Sequence, residues 1–291
     1  MPGRASEGPD DRLLDTTLEV GAIGAGLQSL QAILGRLLDP ASTTGEVARL
    51  IANEPGLTAR VLRVANSAFY GMSGSVATLD RAILLLGTDA VRGVAAAACL
   101  DRVAIRAVAG SPVDLRTLVR HSLAVAVGAE MLARLHHREL APVAFVAGLL
   151  HDLGILVQVQ LDRDGLARMV AALPREPGLS APERERRHDL VGHERCGEAL
   201  LRSWRLPERL ALAAGHHHAP FDAPEQARPL ATLVALANRL AVEASLCHVL
   251  ESHTDPVPDD WIEGQPWSRQ ELETVRGALP ARVQELLDLL V

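Results

Sequence analysis

Apolar residues recur along this chain at the three- and four-residue intervals of amphipathic helices. Leu27, Leu30, Ile33, Leu34, Leu37 and Leu38 predict a first helix over 26–38, stopped by Asp39 and Pro40. Ser42 or Thr43 caps a second helix to Asn53, with Val47, Leu50 and Ile51 on one face. Pro55 opens a third, which buries Leu57, Val61, Leu62 and Val64 and runs into Asn66, Ser67, Phe69, Tyr70 and Gly71. Two readings of that last segment stand: Asn66 and Ser67 cap the helix end with Gly71 at positive φ, or the segment contacts a ligand. Leu79 to Leu86 predicts a helix ended by Gly87, and Val91 to Val108 a long Ala-rich one suited to close helix packing.

Gly110, Ser111 and Pro112 interrupt the pattern and mark the best candidate for a subdomain boundary. Beyond them the spacing predicts helices over 115–135 and from Pro142 through His151 and Asp152. Pro174 to Arg187 reads as a charged loop, followed by helices from His193 to Trp204, Pro207 to Gly215 and Leu230 to Leu246. Residues 252–267 read as a loop, Ser268 and Glu271 as the capping box of a helix, and Pro280 as the start of the last one. With no alternating β pattern, hairpin dipeptide or Gly-rich phosphate loop, the fold class is all-α.

Composition narrows the function. The chain has 291 residues, 48% of them hydrophobic and 22% charged, which reads as globular and soluble. Charges interrupt every long apolar run short of the roughly 18 residues that span a bilayer. Residues 1–18 are rich in Pro, Gly and charge, lack a signal-peptide core, and read as a disordered tail; the expected location is cytoplasmic, away from membranes. The net charge is −7, no basic run occurs, and the aromatics are three Trp, three Phe and one Tyr, which argues against a nucleic-acid surface. The chain contains no lysine, so Schiff-base chemistry on its own side chains is excluded. Cys99, Cys196 and Cys247 form no Cys-x-x-Cys pair and read as reduced thiols.

The stretch from Ala144 to Gln158 is almost wholly apolar, yet His151 and Asp152 stand side by side within it. A buried ionised carboxylate needs a partner, and a divalent cation reached by both side chains would supply one. His121, His193 and His216 to His218 each sit at or within another apolar helix. Imidazole and carboxylate together are a ligand set for Fe, Mn, Zn or Ni.

That order of residues resembles the HDOD proteins, a branch of the HD superfamily of helical metal-dependent phosphohydrolases. The resemblance covers roughly residues 20–250. Ile51-Ala-Asn-Glu-Pro-Gly-Leu57 and Val64-Ala-Asn-Ser-Ala-Phe-Tyr-Gly71 carry it in the N-terminal half. His121 to Ala126, Ala147 to Gly154 and Trp204 to Pro207 carry it further on. It implies a multi-helix HD-like bundle over 111–250 behind an N-terminal helical subdomain over 19–110. Residues 251–291 would form a C-terminal loop and capping helices, all within one continuous unit.

The resemblance also implies metal ligands at His121, His151, Asp152, His193, His217 and His218, with His216 as an alternative to one of the last two, and places the final ligand at Asn238. Asn238 stands where the superfamily has Asp, Ile155 where its enzymes commonly have Lys, and no Gly-Tyr-Pro segment follows His218. A lost bridging carboxylate and a lost phosphate-holding cation weaken both metal and substrate binding. The expected function is therefore a non-catalytic regulatory module of bacterial signal transduction with a degenerate metal site, acting through protein partners or a bound small nucleotide signal. The alternative is a metal-dependent phosphohydrolase of a nucleotide or cyclic dinucleotide.

Overall fold

Local chemistry starts and stops the helices largely where the apolar spacing puts them. In the computed structural model, which describes residues 25–67, 76–107, 112–251, 257–263 and 265–290, α1 is Ala25–Leu37. The helix α2, Thr44–Ala52, begins at a capping box in which Thr43 accepts the Glu46 N–H and Glu46 accepts the Thr43 N–H. Pro55 sits in the first turn of α3, Pro55–Ala65, where its missing N–H costs nothing. Asn66 then closes that helix: its amide donates to Leu62 O and Val76 O, and its Oδ1 accepts the Val76 N–H at 2.6 Å. With these bonds made, Asn66 serves the backbone as a cap; Gly71 lies outside the described residues.

Two helices, α4 (Leu79–Leu86) and α5 (Thr88–Ala107), follow, and the expected boundary at Gly110 lies outside the described residues. The central pair is α6 (Leu115–His136) and α7 (Ala141–Leu150). Then come α8 (Gly154–Leu161), α9 (Arg163–Ala172), α10 (Ala181–Arg187), α11 (His193–Ser203), α12 (Glu208–Gly215) and α13 (Arg228–Glu243). The chain closes with α14 (Asp259–Ile262) and α15 (Arg269–Leu290). No strand occurs among the described residues. Apolar side chains from Leu34 to Leu290 form one continuous core, with α13 and α15 laid on α6, and α11 packed between α8 and α12.

Five expectations are corrected. The helix opened by Pro142 does not run unbroken through His151 and Asp152: Leu153, Ile155 and Leu156 bond three residues back, to Leu150, Asp152 and Leu153, tightening the chain between α7 and α8. The expected loop over 174–187 contains α10, started by a capping box between Ser180 and Glu183. Pro280 lies inside α15 instead of opening a helix, and Trp261 and Trp267 of the expected 252–267 loop are buried, the first on α14. Finally, Arg138–Leu161 is long and apolar enough by length and composition to cross a membrane. However, 83% of its most apolar window is buried inside the protein, as for a core helix.

Two glycines set the depth of this packing. A Cβ on Gly148 would lie 2.8 Å from the Ala126 backbone, and one on Gly154 would collide with the His193 carbonyl and Gly197. Gly148 thus seats α7 on α6, and Gly154 seats α8 on α11. Those contacts bring His121, His151 and His193 into one volume.

Candidate metal centre

Asp152 is the hub. Its side chain is wholly buried, and its two oxygens face different groups of imidazoles. Around Oδ2 stand the Nε2 atoms of His248 at 2.9 Å, His151 at 3.1 Å and His121 at 3.6 Å. Around Oδ1 stand those of His217 at 3.5 Å and His193 at 3.7 Å. His193 Nε2 in turn lies 3.2 Å from His217 Nε2 and 3.1 Å from His218 Nε2.

Backbone and carboxylate partners decide which nitrogen of each ring carries its proton. His121 Nδ1 is 2.7 Å from Leu246 O, His151 Nδ1 2.7 Å from Gly148 O and His217 Nδ1 2.8 Å from Ala214 O. His193 Nδ1 is 2.7 Å from Glu185 Oε1. A carbonyl or carboxylate can only accept, so each Nδ1 carries a proton, and Nε2, the atom facing Asp152, is the one free to bind a metal once it is deprotonated. Glu185 is held ready by Gln158, whose amide donates to it at 2.6 Å.

Burial and charge then act differently across the group. Burial, followed by the neighbouring His248, lowers the His121 pKa to about 3, and burial also lowers that of His151. Burial works the same way on His193, but the Glu185 carboxylate overcomes it and raises that pKa to about 10. His217 is raised against burial by its hydrogen bond to Asp152 and by Glu194. Burial opposes ionisation of Asp152 and Glu251, yet His151 beside the first and His218 beside the second hold both carboxyls well below their usual range.

The arrangement fits a cation. His121 Nε2, His151 Nε2 and Asp152 Oδ1 are buried without a hydrogen-bond partner, each leaving a donor atom unused at the centre. Metal bonds of about 2.1 Å put two ligand atoms about 3.0 Å apart at a right angle and about 3.4 Å apart in a tetrahedron. The imidazole–carboxylate and imidazole–imidazole spacings above fall around those values. Three trios, His193–His217–His218, His121–Asp152–His248 and His151–Asp152–His217, each bring their donor atoms within 4.8 Å of one another. These buried groups are able to hold a divalent metal.

Of the residues singled out from sequence, His121, His151, Asp152, His193, His217 and His218 converge. His216 belongs to none of the three trios. Asn238 is buried on α13 with its Oδ1 lacking a hydrogen-bond partner, and no hydrogen bond or ion pair joins it to the cluster among the described residues. Sequence reasoning missed Glu185, Glu194, His248 and Glu251. Glu194 accepts the His218 N–H at 2.9 Å, and Glu251 Oε1 lies 2.9 Å from His218 Nε2. The His-x-x-Glu spacing of 248 and 251 was the available signal.

Comparison with known proteins identifies the fold and the family. The profile of the HDOD domain matches residues 27–220. Among solved structures, an HDOD domain protein of unknown function from Geobacter sulfurreducens superposes with a TM-score of 0.77 at 22% identity, covering 96% of this chain and 97% of that one. A candidate signal-transduction protein of Marinobacter aquaeolei VT8 gives 0.71 at 23%, covering 95% and 60%. A candidate phosphohydrolase of Shewanella amazonensis SB2B gives 0.68 at 24%, covering 96% and 98%. An uncharacterised protein of Treponema pallidum (strain Nichols) is 23% identical over 231 residues, 77% of this chain, which spans only 44% of that relative's length. The likeness to the solved structures establishes the fold, and the profile match establishes membership: this chain belongs to the HDOD domain family.

Proposed function

We propose that this chain is a non-catalytic regulatory module of bacterial signal transduction in the cytoplasm, built around a closed metal centre and passing its signal to protein partners. The observation that carries this reading is the burial of five of the donors: His121, His151, Asp152, His193 and His217 are at most 1% exposed. A catalytic metal keeps an open position for water and substrate, whereas a structural one is enclosed by protein ligands. Clefts of 410 Å³ beside Leu240 and Arg276 and of 650 Å³ beside Gln31 and Trp204 have no cluster residue in their walls. Ile155, where a phosphate-holding Lys would be useful, is itself buried. The candidate ligands are His121, His151, Asp152, His193, His217 and His218, with Asn238 of α13 as a further candidate, and the cation is Fe, Mn, Zn or Ni.

A second reading, a metal-dependent phosphohydrolase of a nucleotide or cyclic dinucleotide, is favoured by one feature. The His218 and Glu194 side chains, 18% and 22% exposed, form an edge through which a small anion could approach. One assay decides between them. The protein is purified from metal-supplemented medium, its metal content measured, and hydrolysis of phosphodiesters and nucleotides followed with Mn²⁺ or Fe²⁺. Bound metal without turnover is the expected result; turnover that His151→Ala abolishes would establish the hydrolase instead.

A further inference from the structure

The centre draws on a segment that the family profile does not reach. Past α13 the chain turns at Ser245 (φ 60), and residues 246–251 then run along the cluster, well beyond residue 220. Leu246 supplies the carbonyl that fixes the His121 proton, His248 stands 2.9 Å from Asp152 Oδ2, and Glu251 stands 2.9 Å from His218 Nε2. From α10, Arg184 donates to Leu250 O at 3.2 Å and pins the segment down.

His248 and Glu251 differ in what they offer. His248 Nδ1 accepts the Leu250 N–H at 3.3 Å, which leaves the ring proton on Nε2. That N–H donates to Asp152 Oδ2, whereas His121, His151, His193 and His217 hold a proton on Nδ1 and keep Nε2 for a metal, so His248 turns no lone pair to the centre. Glu251 is 3% exposed, and its Oε1 is buried with no hydrogen bond despite the 2.9 Å approach to His218. That spacing without hydrogen-bond alignment suits two donors that share a cation.

We propose that Glu251 is a metal ligand on the His193–His217–His218 side of the centre, and that His248 is the positioning residue that holds Asp152 between the two sides. Residues 246–251 are then a strap without which one half of the centre does not hold its ion. This rests on the reading that the cluster binds a divalent cation.

The full chain, stripped with chelator, is titrated with Mn²⁺ or Co²⁺ alone, and uptake and affinity are read by calorimetry and elemental analysis. The wild type is expected to take up two equivalents. Glu251→Gln should lose one of them or bind it at least ~100-fold more weakly, leaving the other unchanged. His248→Ala should weaken binding ~10–100-fold, whereas His248→Gln, whose amide still donates, should stay within ~3-fold of wild type. A wild type that binds no cation overturns the reading beneath the proposal. A wild type that binds, with Glu251→Gln unchanged in uptake and affinity, overturns the ligand assignment alone. Equal behaviour of the two His248 variants overturns the positioning role. Should Glu251→Gln fail to fold, Glu251→Asp, which retracts the carboxylate by one methylene, carries the same test: a weakened equivalent supports the assignment and an unchanged one refutes it.

Discussion

His121 and His193 stand on opposite sides of the Asp152 carboxylate, both wholly buried and both presenting Nε2 to it. His121 donates its Nδ1–H to a backbone carbonyl, His193 to the Glu185 carboxylate. The first imidazole is held neutral, with its pKa near 3, and the second is cationic in the metal-free protein, with its pKa near 10. One residue type at similar burial therefore takes two charge states, because a carbonyl contributes a dipole where a carboxylate contributes a full charge. The His121–His151 side is a ready set of lone pairs. The His193 side, with Glu185, Glu194 and Glu251 around it, is balanced by acids and must release a proton before it binds a cation.

The change with the largest expected effect removes what both sides share. Asp152→Asn takes the charge from the hub, and metal analysis of the purified variant should find neither side occupied. Gly154→Ala forces α8 away from the His193 carbonyl and should separate the sides mechanically. The expected cost is about 3 kcal/mol of unfolding free energy, measurable by urea denaturation. Glu185→Gln acts on one side only: uptake on the His193 side should weaken ~10–100-fold, while the His121 side keeps its affinity in a competition titration.

In the metal-free protein, pH separates the sides without mutation. The His121 contribution to stability is full above the unfolded value of about 6.5 and is lost as pH falls toward about 3, since the unfolded chain takes up the proton first. The His193 contribution is full below about 6.5 and is lost as pH rises toward about 10. Melting temperature against pH should therefore fall on both flanks of about 6.5, and Glu185→Gln should flatten the alkaline flank alone. The smallest effect is expected from Asn238→Asp, since α13 packs on the helices of the His121–His151 side. Metal affinity there should rise about tenfold if the unpartnered Oδ1 faces that side, and an unchanged titration would remove Asn238 from the ligand set.

The all-helical fold and most of the centre could be read from the chain because apolar spacing places each helix and the histidines interrupt apolar faces. What stayed hidden was polar in appearance. Arg184 and Glu185 lie in a run of acids and arginines that resembles a solvated loop, yet each is 2% exposed. Ser180 and Glu183 form a capping pair, but no apolar periodicity follows them to announce a helix. His248 and Glu251 lie just past an apolar helix, and only the turn at Ser245 carries them back onto the cluster. Asp152 and its neighbours were legible as a pair but not as a junction, because the tightening after Leu150 leaves no mark in composition.

The enclosure of the donors also governs how an ion would come and go. With Asp152 1% and Glu251 3% exposed, a bound cation would leave no faster than the surrounding helices open. The stripped chain would then take up its ion, and a chelator remove it, at rates set by local opening of the fold, the removal being independent of chelator concentration.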